Sequence, residues 1–402
     1  MIKINSETLS SFQKFLQDQE LDGWLLYDFH QLNPFAYLFL PLDQGVFSRR
    51  WFYFMPAKGE PQILVHRIEE NYFTHLAGAR RPYSGWREME AGLSDLLKGS
   101  SRIAMEYSPG AALPYVSKVD AGTLEMVRTT GVEVVTSADI IQYFHSRWTP
   151  AGYQAHMATV PVVHKVREQA FRTIAEATRD GRAINEYDIQ QQIVAGFTAA
   201  GLEFDHEANV SVNANAALPH YQPTAEVSAP INKGDLVLID MWCKQAGNPE
   251  ATYVDITWMG FVGKEVPEKY AAVFAVVKAA RERAVAFIAE RLAAGKSVVG
   301  GEVDDACRQV IEKAGYGEYF THRTGHSIDT EVHGAGVNID HLEMRDDRTL
   351  IPGVGFSIEP GIYLPGKFGI RTEIDAYMSE DGVEVTTAPS QEEVLPLLAL
   401  WG

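Results

Sequence analysis

Apolar residues along this chain recur at two spacings, and the changes from one to the other mark out its elements. Residues 8–21 place hydrophobic side chains on one face of a helix, and Gly23-Trp-Leu-Leu-Tyr27 then forms a continuous apolar run that predicts a buried strand. Trp51-Phe-Tyr-Phe54, Gln62-Ile-Leu-Val65 and Arg102-Ile-Ala-Met105 predict further strands, alternating with helical stretches such as 86–98. Val132-Glu-Val-Val-Thr136 closes this α/β region, and helical patterning resumes at Ser137-Ala-Asp139. The punctuation Trp148-Thr-Pro150-Ala-Gly152 reads as a linker, so a smaller domain over 1–149 and a larger one over 150–402 are expected. Beyond it, 153–179 and 186–200 predict two helices separated by Asp180-Gly181. Strand patterns over 235–243 and 251–262 follow, joined by a polar loop at 244–250. A long helix over 267–294 carries an apolar stripe that reads as core packing.

Composition narrows the function classes. At about 150 residues per domain, 402 residues predict two or three domains, and 46% hydrophobic content is ordinary for a globular chain. A formal charge of −18 repels phosphate backbones and anionic membranes, so neither nucleic acid nor a membrane surface is an expected partner. No apolar run reaches the roughly 18 residues of a membrane span, and no signal-type segment opens the chain, so a cytoplasmic protein is expected. Cys243 and Cys307 have no metal-type spacing and read as reduced, buried thiols.

Against this background five residues in the second half stand out. Asp240, Asp255, His326, Glu359 and Glu373 each sit in a short apolar or glycine-bounded run. Buried carboxylates must be protonated, paired or bound to cations, and two divalent ions would balance four of them with a neutral imidazole as fifth donor. In Tyr253-Val-Asp255-Ile-Thr257 the strand period puts Tyr253, Asp255 and Thr257 on one face and Val254, Ile256 and Trp258 on the other. Arg371, Glu373 and Asp375 are expected to share a face in the same way. A carboxylate-rich set with one imidazole and no thiolate favours hard divalent ions, Mn first, with Co, Zn or Fe feasible. The reaction class this suggests is metal-assisted hydrolysis.

Phe356-Ser-Ile-Glu-Pro-Gly-Ile-Tyr363, Gly369-Ile-Arg-Thr-Glu373, Pro219-His220-Tyr-Gln-Pro223 and His322-Arg-Thr-Gly-His326 with Val332-His333 resemble the proline-specific branch of the pita-bread metallopeptidases, the Xaa-Pro aminopeptidases and Xaa-Pro dipeptidases (prolidases). The resemblance covers most of 155–390 and extends weakly to 1–150. It implies an α+β protein in which a C-terminal pita-bread (creatinase/aminopeptidase-like) catalytic domain follows a smaller α/β N-terminal creatinase/prolidase-type domain. It further implies two divalent metal ions held by Asp240, Asp255, His326, Glu359 and Glu373, with a metal-bridging water attacking the Xaa-Pro bond. Glu359 doubles as proton acceptor, His220 and His333 face the substrate and the oxyanion, and His322 and Arg371 contact substrate. Arg371 has the alternative of pairing with Asp375 or another local carboxylate. A proline-containing peptide as substrate and a homodimer are likewise implied. Whether the enzyme acts on dipeptides or on longer N-termini stays open at this stage.

This chain departs from the family pattern around the ligands. Trp242 stands where a glycine is usual, the two aspartates are 15 positions apart rather than about ten, and Trp258, Ser327 and Gly334 replace the usual Arg, Gly and Glu. Two other readings share the fold: a creatinase-like hydrolase of a small amide or guanidino substrate, and a non-enzymatic binding module. Both predict eroded ligands, and none of the five is missing here. His164, His206 and His341 match nothing in the pattern and read as structural or exposed.

Overall fold

The computed structural model describes residues 2–42 and 45–402, which group into two units, Met1–His145 and Ser146–Gly402. In the first unit the continuous apolar run around Trp24 becomes strand β1 (Gly23–Asp28), buried along its whole length. Among the described residues six strands form a mixed sheet in the order β4-β3-β2-β1-β5-β6. The others are β2 (Trp51–Pro56), β3 (Gln62–His66), β4 (Ala79–Tyr83), β5 (Arg102–Met105) and β6 (Glu133–Thr136). β1 lies between β2 and β5, which explains its unbroken hydrophobicity: both faces are covered. One face packs on the helix Trp86–Leu96 through Leu25, Phe52, Leu64, Met89 and Leu93, while Trp24 on the other meets Phe12 and Phe39. Glu106, fully buried here, accepts hydrogen bonds from Trp24, Asn33 and Ser137, and burial pushes its carboxyl up to about 6.

The second unit is built from two pairs of helices and the strands they cover. Pro150–Arg179 and Glu186–Ala199 form one pair, Glu268–Ala293 and Gly300–Lys313 the other. The first pair packs on β9 (Leu236–Gln245) and β10 (Val254–Phe261), whose sheet also takes β7 (Leu202–Glu203) and β8 (Asn209–Val212). The second half contributes β11 (Ser327–Ile328), β12 (Gly355–Ile358), the hairpin β13 (Gly361–Leu364) and β14 (Phe368–Arg371), then β15 (Ile374–Ser379) and β16 (Gly382–Val385). β17 (Leu395–Pro396) returns to pair with β10.

Strand alternation sorts β9 and β10 into two faces. Val237, Ile239, Met241, Cys243, Val254, Ile256 and Trp258 enter the core beneath the first helix pair. On the other face Leu236, Leu238, Met259 and Phe261 join the core of the second half. Farther along this same face the apolar residues give way to Asp240, Asp255 and Thr257. The site is therefore the polar end of a face whose other end is hydrophobic core, and the core fixes the register of both strands.

The structure corrects two sequence expectations. Trp148–Gly152 is not a linker: Thr149 caps Gly152 N–H at 2.9 Å, Pro150 takes the first helical turn, and Trp148 is buried with its indole donating to the Ile328 carbonyl at 2.6 Å. Thr-Pro is a helix-start signature as well as punctuation, and the unit boundary falls at 145/146. Arg371, Glu373 and Asp375 do not share one strand, because the chain passes from β14 to β15 at Thr372-Glu373 and changes sheet. The polar 244–250 segment is anchored at both ends. Ala246 N–H bonds to Gly201, and Glu250 accepts from the Thr149 hydroxyl, which docks the segment on the first helix pair. Cys243 and Cys307 are free and buried, as the sequence predicts.

Candidate metal centre

In the β9–β10 ladder Asp240 lies opposite Thr257 and Trp242 opposite Asp255, so the two aspartates are diagonal neighbours on one face. The Thr257 hydroxyl sits 3.0 Å from Asp240 Oδ1 and 2.7 Å from Glu373 Oε2. Its one proton serves one carboxylate at a time, while its oxygen accepts from Arg371 Nε at 3.0 Å. Glu373 is brought in by its own backbone, whose N–H donates to the Thr257 carbonyl at 3.2 Å and ties the two halves together. Thr257→Val keeps the shape and this backbone bond but removes the hydroxyl that joins Asp240, Glu373 and Arg371; metal affinity is expected to fall roughly 10–100-fold, read by titration with a divalent ion.

His326 and Glu359 arrive on neighbouring segments. The stretch Thr324-Gly-His326 runs beside β12, with Ser357 N–H donating to His326 O at 2.8 Å and Glu359 N–H to Thr324 O at 2.7 Å. Pro360 has no N–H to continue that ladder, so the backbone pairing ends at Glu359, just past β12. Gly325 is required at the crossing: a Cβ there would lie 1.9 Å from the Ser357 carbonyl oxygen. Gly325→Ala is expected to destabilise the fold by ~1–3 kcal/mol and displace His326, so both the unfolding temperature and the bound-metal stoichiometry should drop. Ser357 Oγ accepts from the His326 N–H at 3.0 Å and faces Glu359 Oε1 at 3.4 Å.

Asp255, His326 and Glu373 offer donor atoms within 4.8 Å of one another, all buried. His326 Nε2 stands 3.8 Å from Asp255 Oδ2 and 3.4 Å from Glu359 Oε1. Its Nδ1 faces the Ser327 carbonyl at 3.2 Å and must carry the proton, which leaves the Nε2 lone pair toward the carboxylates. Burial, reinforced by His333 and Arg323, drives the His326 pKa well down, so the imidazole is neutral. The carboxylates move the other way. Burial first, then Asp240, raises Asp255; burial first, then Asp255, raises Glu373; Glu359 is pushed up to about 7 by burial although Arg371 opposes it.

Asp255 Oδ1 and Glu373 Oε1 are buried and lack any hydrogen-bond partner. Two orphan carboxylate oxygens beside a neutral imidazole with a free lone pair are poor packing and good cation donors, so the residues fit a metal. The Asp240 and Glu359 side chains remain 13% and 14% exposed, against 6% for Asp255 and 4% for His326. The first two therefore form the open side of the cluster.

The remaining expected residues divide. Arg371 turns to Asp240 rather than Asp375, and its Nε lies 3.9 Å from Glu359, so its guanidinium is engaged by the cluster. His322 donates from Nδ1 to the Arg323 carbonyl at 2.7 Å and accepts at Nε2 from the Tyr363 hydroxyl at 2.7 Å. Tyr363 in turn accepts from Arg371 at 3.2 Å, and the His322 pKa falls to about 3, mainly through burial. Neither ring nitrogen of His322 is left for a substrate in this arrangement. His333 is exposed, with its ring 4.3 Å from that of His326, and feels the charges of Asp205, Asp240 and His220. His220 is exposed on the loop that follows Asn213–Ala217. His164, His206 and His341 engage Thr387, Asp205 and Asp305.

Sequence reasoning placed Thr257, Tyr363 and Asp375 near the ligands but gave none of them a role at the site. For the first two a signal was at hand, as the polar alternate of Asp255 and the end of the Glu359 motif. For Asp375 none was: it accepts from the Asp255 N–H at 2.8 Å beside buried His156, a contact across 120 residues.

Residues 160–380 match Metallopeptidase family M24. The chain belongs to that family. An Xaa-Pro dipeptidase of Lactobacillus delbrueckii subsp. lactis is 30% identical over 233 residues, 57% of either chain, so the match spans little more than half that relative's length. A probable dipeptidase PepE of Mycobacterium bovis is 25% identical over 349 residues, 85% of each. Among solved structures, dipeptidase PepE from Mycobacterium ulcerans superposes with a TM-score of 0.69 at 21% identity, covering 97% of both chains. A prolidase from Thermococcus sibiricus gives 0.61 at 23%, covering 98% of this chain and all of the other. The fold is thus the pita-bread fold preceded by an N-terminal domain. No helix among the described residues is long and apolar enough to cross a membrane.

Proposed function

We propose that this protein is a dinuclear metal-dependent peptidase that hydrolyses the bond between a residue Xaa and proline, foremost in dipeptides. The observation that carries the reading is the pair of orphan oxygens on Asp255 and Glu373 beside the neutral imidazole of His326. Names borne by relatives, Xaa-Pro dipeptidase and probable dipeptidase, favour the dipeptide. Asp255, His326 and Glu373 would hold one ion, and Asp240 with Glu359 add the carboxylates a second requires; the oxygen-rich set suits Mn first. When bound, the ions acidify water and polarise the scissile carbonyl.

The chain's own residues do the rest. Glu359 lies on the open side with its carboxyl close to neutral in pKa, so it can take a proton at Oε and return it to the prolyl nitrogen. Proline's nitrogen has no N–H for a general aminopeptidase to grip, so positioning falls on groups around the carbonyl. His333, whose ring lies 4.3 Å from that of His326, would donate to the developing oxyanion together with His220. Arg371 holds Asp240 in place rather than gripping substrate.

Metal analysis together with hydrolysis of an Xaa-Pro dipeptide and an Xaa-Pro-Yaa tripeptide tests the proposal. About two divalent ions per chain and preferred cleavage of the dipeptide are expected. No hydrolysis of either peptide by the Mn- or Co-loaded protein would overturn it.

A further inference from the structure

Toward the hairpin turn, the face that carries Asp240 and Asp255 carries two large aromatic residues, Trp242 and, by strand alternation, Tyr253. Trp242 is paired directly across from Asp255, half-buried, and its Nε1–H donates to Asp205 Oδ1 at 2.6 Å. Its other contacts are with the apolar group of Trp148, Tyr253, Ile328 and Val332, the last of which precedes His333. Lys244, the next residue on the same face, closes the outer side: its ammonium donates to the Thr330 carbonyl at 2.7 Å and stacks over Tyr253 at 5.0 Å. The indole is thus held from below by the ladder, from the side by Asp205 and from outside by the segment leading to His333. It cannot swing away from the carboxylates without breaking one of these.

We infer that Trp242 is the specificity-determining residue for the side chain that precedes proline, bounding its subsite so that small residues are preferred. This rests on the function just proposed. Glu359, which returns the proton to the prolyl nitrogen, stands on the second-half sheet; the Asp240–Asp255 hairpin lies across the cluster from it. The scissile bond runs between the two, so the proline side lies toward Glu359 and the Xaa side toward the hairpin, where the indole occupies the space. Asp205 is the positioning residue that fixes the indole plane. A hydrophobic wall discriminates by size in steps of roughly 10–200-fold per methylene-scale change.

The test is the ratio of kcat/KM for Phe-Pro to that for Gly-Pro, measured with the metal-loaded full chain. In Trp242→Ala the ratio is expected to rise at least ~10-fold over the parent, in Trp242→Phe less, and in Asp205→Ala, which removes the acceptor of the indole N–H, in the same direction through a loosened indole. Calorimetric binding of the two dipeptides to Glu359→Gln protein, with and without Trp242→Phe, reads the same preference without turnover. Metal content and unfolding temperature identify any variant that has not folded; Trp242→Phe and Asp205→Ala then carry the decision. A ratio that stays within about twofold of the parent in folded variants overturns the inference. Failure of the parent to cleave either dipeptide instead overturns the proposed function, so the two failures are distinguishable.

Discussion

Glu359→Gln is expected to lower kcat on an Xaa-Pro dipeptide by about 10²–10⁴-fold while the protein stays folded and retains most of its metal. The amide is nearly isosteric with the carboxylate, and the backbone N–H that ties residue 359 to Thr324 is untouched. What is lost is a base. Burial lifts this carboxyl to about 7 in the metal-free fold, and bound cations pull it down again, which keeps it ionised near neutral pH yet basic enough to accept a proton. KM should change far less than kcat, because the missing proton transfer matters in the transition state and little in the ground-state complex. Full activity in the variant would remove Glu359 from the proton path, and a metal-free variant would show that it acts as a ligand first. Single-turnover kinetics with metal content measured on the same sample separates these outcomes.

The five proposed ligands were legible because each lies in a run where the sequence pattern demands burial and the residue type resists it. For Asp255 alternation alone fixed the face, since its neighbours Val254 and Ile256 fill the core on the other side. The N-terminal strands were legible for the same reason: β1 is apolar throughout because both its faces are covered. Glu373 and Asp375 show where that logic ends. A period of two assumes one continuous strand, and nothing local in Arg371-Thr-Glu-Ile-Asp375 announces that the chain leaves one sheet for another there. The helix start at Thr149-Pro150 was misread because Pro and Gly mark both loops and helix N-termini, and only the burial of Trp148 decides between them. The engagement of Arg371 by Asp240 spans 131 residues and is a property of the fold, invisible to any window along the chain.

Asp255→Asn should reverse its effect on stability according to whether metal is present. In the metal-free fold burial and neighbouring carboxylates raise the pKa of Asp255 and Glu373 well above their ordinary values. Between the ordinary carboxylate range, about 4, and those raised values these two groups bind more protons in the folded chain than in the unfolded one, so the stability they contribute is greatest below about pH 4 and is lost as pH rises through the folded pKa. Metal-free protein should therefore unfold at a falling temperature as pH goes from 5 to 8. An asparagine at 255 cannot ionise, so the metal-free variant should show a shallower fall and a higher unfolding temperature than the parent at pH 8. The Asp255 N–H that donates to Asp375 is a backbone group and survives the change. With metal the order inverts, because cations bind only deprotonated carboxylates and the parent then gains linkage energy, ~2.7 kcal/mol for each ion present at 100 times its dissociation constant. The variant, short one anionic donor, gains less. Thermal unfolding of both proteins at pH 5 and 8, with chelator and with excess Mn, gives the four comparisons. Curves that keep one order under every condition would mean that Asp255 is not part of a cation site, and the charge argument for the whole cluster would fall with it.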